Sequence, residues 1–228
     1  MRITTNTILK NDMPFGGRVL RNVEPFVQEM LITISTRSSD GTLKEAEDFA
    51  KDFPDKVKLY FETVSRPGEL TGVRQNQLDR SSGDWILFLD GDDWWDTKRL
   101  SYCISLLSDD IDALAVSPYQ VIDENTYERQ WAHMGFTKFF KKQPGVHYEG
   151  DWPRDLIFKD DKMLYWKSNP KVPMIPCMFY HLSHVKSHSW RSEKGAEGFE
   201  QRIGELRYFN DLNKKDIEEI YECIKTNK

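Results

Sequence analysis

Cysteine is scarce in this sequence, and its spacing indicates no cross-linked framework. The chain of 228 residues has three cysteines, Cys103, Cys177 and Cys223. An odd number of widely separated cysteines argues against a disulfide framework, and no pair has the short spacing of a structural zinc site. We therefore expect reduced, buried thiols.

Long hydrophobic runs are also missing. No segment approaches the ~18 consecutive apolar residues of a membrane-spanning helix. Residues 1–6 do not form the apolar core of a signal peptide. We expect a cytoplasmic protein without a transmembrane segment, whose association with a membrane, if any, is peripheral.

The sequence has fewer basic than acidic residues. The formal net charge is -5, whereas a protein that holds a nucleic-acid backbone normally carries a basic surface. The one local basic cluster, Lys138, Lys141 and Lys142 around two phenylalanines, is typical of a solvated loop. The charge pattern therefore disfavours nucleic acid as a partner.

The first half of the chain alternates between two kinds of apolar pattern. Apolar, β-branched segments predict strands at residues 3–9, 30–34, 57–61 and 85–89. Amphipathic segments between them predict helices at residues 18–26, 42–53 and 71–80. This alternation predicts an α/β fold, with helices on both faces of a parallel sheet. Ligands of such sheets bind at the carboxyl ends of the strands.

Two helix starts have capping signals. Thr42 and Glu45 have the spacing of a capping box. Asp96 is placed to cap a helix that contains Leu100 and Leu107.

The second half of the chain is less regular. Residues 113–118 predict one more strand, the alternation fades between residues 119 and 180, and residues 214–224 predict a terminal helix. We expect a single domain over residues 1–228, in which a loop-rich region is built onto the regular half.

A cluster of carboxylates follows the apolar strand at residues 85–89. Asp90, Asp92 and Asp93 repel one another, so the folded chain needs a cation or hydrogen-bond donors beside them. Carboxylate oxygens suit magnesium, manganese or calcium. Gly91 allows the backbone to bend closely around a bound group. An acidic surface turn is the alternative interpretation.

Four short motifs occur in a fixed order along the chain. Residues 8–12 form a strand followed by a Lys-Asn-acid turn, residues 38–42 read Ser-Ser-Asp-Gly-Thr, Arg74 lies on a predicted helix, and residues 83–92 form a strand that ends in Asp-Gly-Asp. Together they resemble glycosyltransferase family 2, whose nucleotide-binding domain has the GT-A fold. The resemblance covers roughly residues 3–110, and it implies a GT-A-type, Rossmann-like sheet.

The resemblance implies roles for the donor site. Asp92 would coordinate a divalent metal, Mn²⁺ or Mg²⁺, at the diphosphate of the donor, and Asp90 would contact the ribose or assist the metal. Arg74 and Asp40 would lie near the nucleotide, although Asp40 is equally open to a role as a helix cap. Ser35 stands where the family usually has an aspartate near the base, so it is expected to contact the base through its hydroxyl.

The general base is harder to assign, because Asn169-Pro170 stands where many family members have a His-Glu pair. An inverting displacement still needs a base. The candidates are Asp151, Asp155, Asp160 and Asp161. We favour Asp151, because the neighbouring Trp152 could stack on a sugar.

Three further residues have two interpretations each. His181 resembles the C-terminal histidine that some members place on the metal or the diphosphate, and it could equally be a structural histidine. Trp94 and Trp95 could line the acceptor pocket or pack in the core.

The resemblance thus implies an inverting, metal-dependent transferase of the hexosyltransferase type. Its donor would be a nucleotide-diphosphate sugar bound by residues 1–118, and its hydroxyl acceptor would be bound by residues 119–228. Two alternatives stay open: a relative that binds a nucleotide sugar or glycan without transferring it, and a sugar nucleotidyltransferase.

Overall fold

The structure is a computed structural model that describes residues 1–64, 67–121, 126–129, 135–150, 156–182, 206–208, 218–220 and 222. The helices are α1 (Gly16–Val23), α2 (Thr42–Asp52), α3 (Leu70–Arg80) and α4 (Thr97–Ser105). The strands of the first half are β1 (Ile3–Leu9), β2 (Glu29–Ser35), β3 (Val57–Glu62), β4 (Trp85–Asp90), β5 (Asp93–Trp95) and β6 (Ala113–Val121). Those of the second half are β7 (Thr126–Arg129), β8 (Phe136–Lys141), β9 (Val146–Glu149), β10 (Leu156–Lys159), β11 (Lys162–Met163), β12 (Met174–His181) and β13 (Leu206–Tyr208).

Ten of the described strands form one mixed sheet. Eight of them follow the order β13-β7-β6-β8-β4-β1-β2-β3, and β12 pairs with both β6 and β5. The strands β4, β1, β2 and β3 are parallel neighbours, whereas β8 runs antiparallel between β4 and β6. The strands β9, β10 and β11 form a second, small antiparallel sheet.

The regular pattern of the first half is confirmed. Each of β1 to β4 lies within one residue of its predicted bounds at either end. The three predicted helices correspond to α1, α2 and α3, and a short 3-10 turn at Glu24–Phe26 continues α1. The strands β1, β2 and β4 are buried along most of their length because both faces of the sheet are covered.

Alternate residues of the central strands point into two cores. Trp85, Leu87 and Leu89 of β4 belong to the core that α1, α2 and α4 cover. Ile86 lies in the second core, beneath α3 and the small sheet. Helices therefore lie on both faces, and the small sheet shares one face with α3. Cys103 of α4 is fully buried in the first core, and burial raises the pKa of its thiol to about 12.

The second half contains more strand than its pattern indicates. Strand β6 continues to Val121, so the division expected at residue 118 falls inside a strand. Phe139 and Phe140 of β8 are adjacent, but they enter opposite cores. Strands that are buried on both faces lose the alternation that identifies a strand, which is why the sequence suggested loops here.

One capping prediction is wrong and one is confirmed. Gly41 precedes the first residue of α2 without a side-chain cap. The carboxylate of Glu45 instead accepts a hydrogen bond from the Gly17 N–H (3.0 Å), so Thr42 and Glu45 form no capping box. Asp96 caps α4 as predicted, since its carboxylate accepts from the N–H groups of Lys98 and Arg99.

None of the helices in the described part of the chain has the length and apolar character needed to cross a bilayer.

Candidate functional site

The loops after β1, β2 and β4 meet at one edge of the sheet. These strands are parallel and adjacent, so their carboxyl ends lie side by side. The three loops contain residues 10–15, 36–41 and 91–92. The candidate site is built on this edge.

Hydrogen bonds from backbone N–H groups to side-chain oxygens tie the first two loops together. Asn11 has a φ of 53°, and its side-chain oxygen accepts from the Ser39 N–H (2.8 Å). The carboxylate of Asp40 accepts from the N–H of Met13 (3.0 Å) and from that of Thr42 (3.0 Å). These contacts place Asp40 at the start of α2 and favour its role as a cap. A contact between Asp40 and the donor stays a prediction.

Gly91 brings the third loop against the first. A β-carbon at this position would lie 2.6 Å from Cγ of Asp12 and 2.6 Å from a methyl carbon of Leu9. Only glycine allows the chain after β4 to pass so close to the loop after β1. Asp12 and the acidic cluster thus lie at the same edge.

The carboxylate of Asp90 lies between two buried cations. Its Oδ1 atom is 3.3 Å from Nη2 of Arg74, and its Oδ2 atom is 3.0 Å from Nζ of Lys138. The guanidinium of Arg74 also lies over the ring of Phe88, 3.8 Å from its centre. Arg74 is therefore fixed beside the acidic cluster, at the place where the resemblance implies a nucleotide contact.

Pairing of β5 with β12 brings His181 opposite Asp93. The Nδ1 atom of His181 lies 3.2 Å from Oδ1 of Asp93 and 3.7 Å from Oδ1 of Asp92. The other oxygen of Asp93 accepts from the Asp90 N–H (3.0 Å) and from Lys138. Residues as far apart in the sequence as Asp93 and His181, 88 positions, thus form one cluster.

The opposite charges in this cluster move the pKa values in opposite directions. Burial alone would raise the pKa of the Asp90 carboxyl, but Lys138 and Arg74 hold that pKa well below its usual range. Burial alone would lower the pKa of Lys138, whereas Asp90 and Asp93 raise it. Burial would likewise lower the pKa of His181, but Asp92 and Asp93 raise it. The neighbours of Asp90 and Lys138 therefore hold these two groups in their charged forms.

Three side chains of the cluster fit a divalent cation. One ligand atom from each of Asp92, Asp93 and His181 lies within 4.8 Å of the others. Two carboxylates and an imidazole suit manganese and, with fewer protein ligands, magnesium. Asp92 and His181 are therefore brought together as the sequence predicts. A metal role for Asp90, whose two oxygens contact Arg74 and Lys138, stays a prediction.

The remaining predicted site residues differ in their surroundings. Ser35 is buried at the end of β2, and its hydroxyl accepts from the Arg37 N–H (3.3 Å). Trp94 and Trp95 are 2% and 0% exposed, and Trp95 stacks on Phe179. Burial favours the packing interpretation of both tryptophans, because neither ring presents a surface to an acceptor. Asp151 lies outside the described residues.

Lys138 was interpreted as part of a solvated loop, and that interpretation is wrong. It lies on β8 and is 3% exposed. The signal that could have identified it is its position in a Thr-Lys-Phe-Phe segment, where a strand would turn the lysine and Phe140 to the same side. Asp93, to which the sequence analysis gave no separate role, is found through its pairing with β12.

Comparison with known proteins decides the family. The profile of Glycosyl transferase family 2 matches residues 20–182. The chain belongs to glycosyltransferase family 2. No curated protein sequence matches it significantly.

Solved structures show the fold of this family member. S. aureus TarS is similar with a TM-score of 0.55 and 14% identity, over 79% of this chain and 36% of TarS. TarS 1-349 in complex with UDP-GlcNAc is similar with a TM-score of 0.52 and 14% identity, over 79% of this chain and 58% of the other. The fold is therefore that of GT-A glycosyltransferases such as TarS. The chain spans less than two thirds of each of these TarS chains.

A nucleotidyltransferase is also similar, but more distantly. The 4-diphosphocytidyl-2C-methyl-D-erythritol synthase from Anaerococcus prevotii has a TM-score of 0.42 and 13% identity, over 62% of this chain and 70% of the other. A similarity at this level supports no conclusion about activity.

Proposed function

We propose that this family member transfers a sugar of the hexose type from a nucleotide-diphosphate sugar to a hydroxyl acceptor, with inversion and with the help of a divalent metal. The observation that carries the proposal is the cluster at the carboxyl ends of the parallel strands, where Asp92 and His181 adjoin the ion pair that Asp90 forms with the buried Arg74. A diphosphate needs such a combination of a metal site and fixed cations.

Each side chain has a distinct task in this proposal. Asp92 and His181, with Asp93, would hold Mn²⁺ or Mg²⁺, which when bound offsets the negative charge of the departing diphosphate. Arg74 would contact the nucleotide from α3, and Asp90 the ribose. Ser35 and Asp40, at the end of β2 and the start of α2, would border the nucleotide.

Asp151 is proposed as the general base that removes the proton of the acceptor hydroxyl. Its neighbour Gly150 has a φ of 88°, and its carbonyl accepts a hydrogen bond from the Thr71 hydroxyl on α3. The helix that carries Arg74 thus also anchors the residue next to the proposed base.

A thermal-shift panel tests the donor assignment. UDP-, GDP-, CDP- and dTDP-sugars would each be added with manganese, with magnesium or with EDTA. A ligand at ~100 times its dissociation constant stabilises the folded state by about 2.7 kcal/mol. We expect one nucleotide to raise the melting temperature with metal and to lose this effect in EDTA.

Product analysis then separates transfer from binding. With the stabilising donor, the proposal expects transfer or slow hydrolysis to free nucleoside diphosphate, whereas a non-catalytic relative would bind without either. Release of pyrophosphate from a nucleoside triphosphate and a sugar phosphate would contradict the proposal. So would the absence of any shift with metal present.

A further inference from the structure

Lys138 lies inside the acidic cluster rather than on the surface. Its side chain is 4% exposed, and its ammonium lies between the rings of Phe88 and Phe179, 4.8 Å and 5.1 Å from their centres. A buried ammonium is costly unless carboxylates and hydrogen bonds compensate for the lost water. The position of Lys138 is therefore tied to its partners.

The partners of Lys138 are two of the three carboxylates that follow β4. Its Nζ atom contacts Oδ2 of Asp90 at 3.0 Å and Oδ2 of Asp93 at a shorter distance. One ammonium thus bridges two aspartates that would otherwise repel each other. Asp92 and the other oxygen of Asp93, Oδ1, face the other side of the cluster, toward His181.

We propose that Lys138 is a positioning residue that neutralises Asp90 and Asp93 and thereby confines a divalent cation to the Asp92–His181 side of the cluster. This inference rests on the proposed function for the role of that cation. The ammonium occupies one oxygen of each carboxylate, so neither can bind a metal through both oxygens. It also supplies positive charge to the cluster before any metal binds.

Binding of Mn²⁺ alone tests this role. In Lys138→Met the side chain keeps its length but loses its charge, so the freed oxygens of Asp90 and Asp93 should bind Mn²⁺ at least about tenfold more tightly than the unchanged protein does. Calorimetric or paramagnetic titration of Mn²⁺ measures this change. Lys141→Met is the matched control, because Lys141 lies on the same strand but pairs with Asp109.

Thermal unfolding in EDTA provides a second readout. Loss of the ammonium should lower the melting temperature of Lys138→Met in EDTA. Addition of Mn²⁺ should then raise the melting temperature of Lys138→Met by more than it raises that of the unchanged protein. If Lys138→Met does not fold, the double variant Lys138→Met with Asp93→Asn removes one charge of each sign. Folding of this double variant in EDTA that is recovered relative to Lys138→Met would support the compensation of charge between Lys138 and Asp93.

Several outcomes would overturn the inference. Mn²⁺ affinity in Lys138→Met that is equal to or weaker than that of the Lys141→Met control would do so, as would a double variant that is no better folded than the single one. If the unchanged protein binds no nucleotide-diphosphate sugar at all, the proposed function fails, but the Mn²⁺ titrations still decide the role of Lys138.

Discussion

A β-carbon at residue 91 has no room, and this makes Gly91 a sensitive position at the site edge. Gly91→Ala would bring a methyl group within 2.6 Å of Asp12 and Leu9. Overpacking of this kind costs about 2 kcal/mol, so we expect a lower midpoint in urea unfolding. Gly72→Ala is the control, since nothing lies within 4 Å of that position on α3. Equal stability of Gly91→Ala and the unchanged protein would show that the two loops separate easily.

The metal-binding role of Asp92 can be tested with a variant that leaves the fold intact. Asp92→Asn keeps the shape of the side chain but removes a charged metal ligand, so we expect transfer to be abolished. We expect Mn²⁺ affinity to fall on the order of 100-fold, at least as much as when outer-shell partners are lost. Isothermal titration measures the affinity, and the free energy of unfolding should change by less than about 1 kcal/mol.

The control for Asp92 is an aspartate at the other end of the sheet. Asp55 is exposed just before β3, so Asp55→Asn removes the same charge away from the site. Full transfer activity in Asp92→Asn would remove this residue from the metal site.

Among the elements, β2 is tied to its neighbours by a buried carboxylate at its first residue. Glu29 accepts hydrogen bonds from Thr4 of β1, from Ser82 before β4 and from Lys58 of β3. Burial alone would raise the pKa of Glu29, but these hydrogen bonds lower it from 4.5 to about 2. This polar group lies at the amino ends of the strands, opposite the candidate site.

The lowered pKa of Glu29 predicts a stability change in acid. In the unfolded chain the carboxylate of Glu29 is protonated near pH 4.5, whereas in the folded protein it stays ionised down to about pH 2. The stabilisation of the folded state by ionised Glu29 is therefore complete above about pH 4.5 and is lost as the pH falls toward about pH 2. Between about pH 5.5 and about pH 3 we expect a loss of about 2 kcal/mol.

Urea unfolding over this pH range measures the loss. Glu29→Gln should be less stable near neutral pH and should show a shallower decline in acid, while the exposed Glu47→Gln should follow the unchanged protein. Parallel declines in all three proteins would contradict the assignment to Glu29.

The predictability of the elements follows their pattern of contacts. The four parallel strands could be predicted because each is a short run rich in apolar or β-branched residues that alternates with amphipathic helices. Strand β8 could not be predicted in this way, because its residues enter two cores and Lys138 points into the site. The same holds for the contact of His181 with Asp93, which depends on the register between β5 and β12. Asp90, Asp92 and Arg74 could be selected because they lie in short motifs at strand ends and on one helix.

At the scale of the whole molecule, the two halves of the chain share one sheet. Strand β8 of the second half lies between β4 and β6 of the first. A fragment that ends at Val121 would leave Leu87 and Ile86 of β4 without Phe139 and Phe140. We therefore expect residues 1–121 to lack the near-ultraviolet circular dichroism and the cooperative unfolding of the full chain.

The full-length chain in the same buffer is the reference for this fragment. A fragment that unfolds cooperatively would mean that the first half forms a domain by itself. Restored dichroism on addition of a separate peptide of residues 122–228 would support shared folding.

The burial of Cys103 has a consequence for following the motions of the molecule. A thiol reagent attacks the thiolate, and a pKa of about 12 leaves almost none of it in the folded protein. Labelling of Cys103 therefore has to wait until α4 separates from the sheet. In a variant that lacks the other two cysteines, the labelling rate would measure how often α4 opens, and ligands of the candidate site could be ranked by how far they slow it.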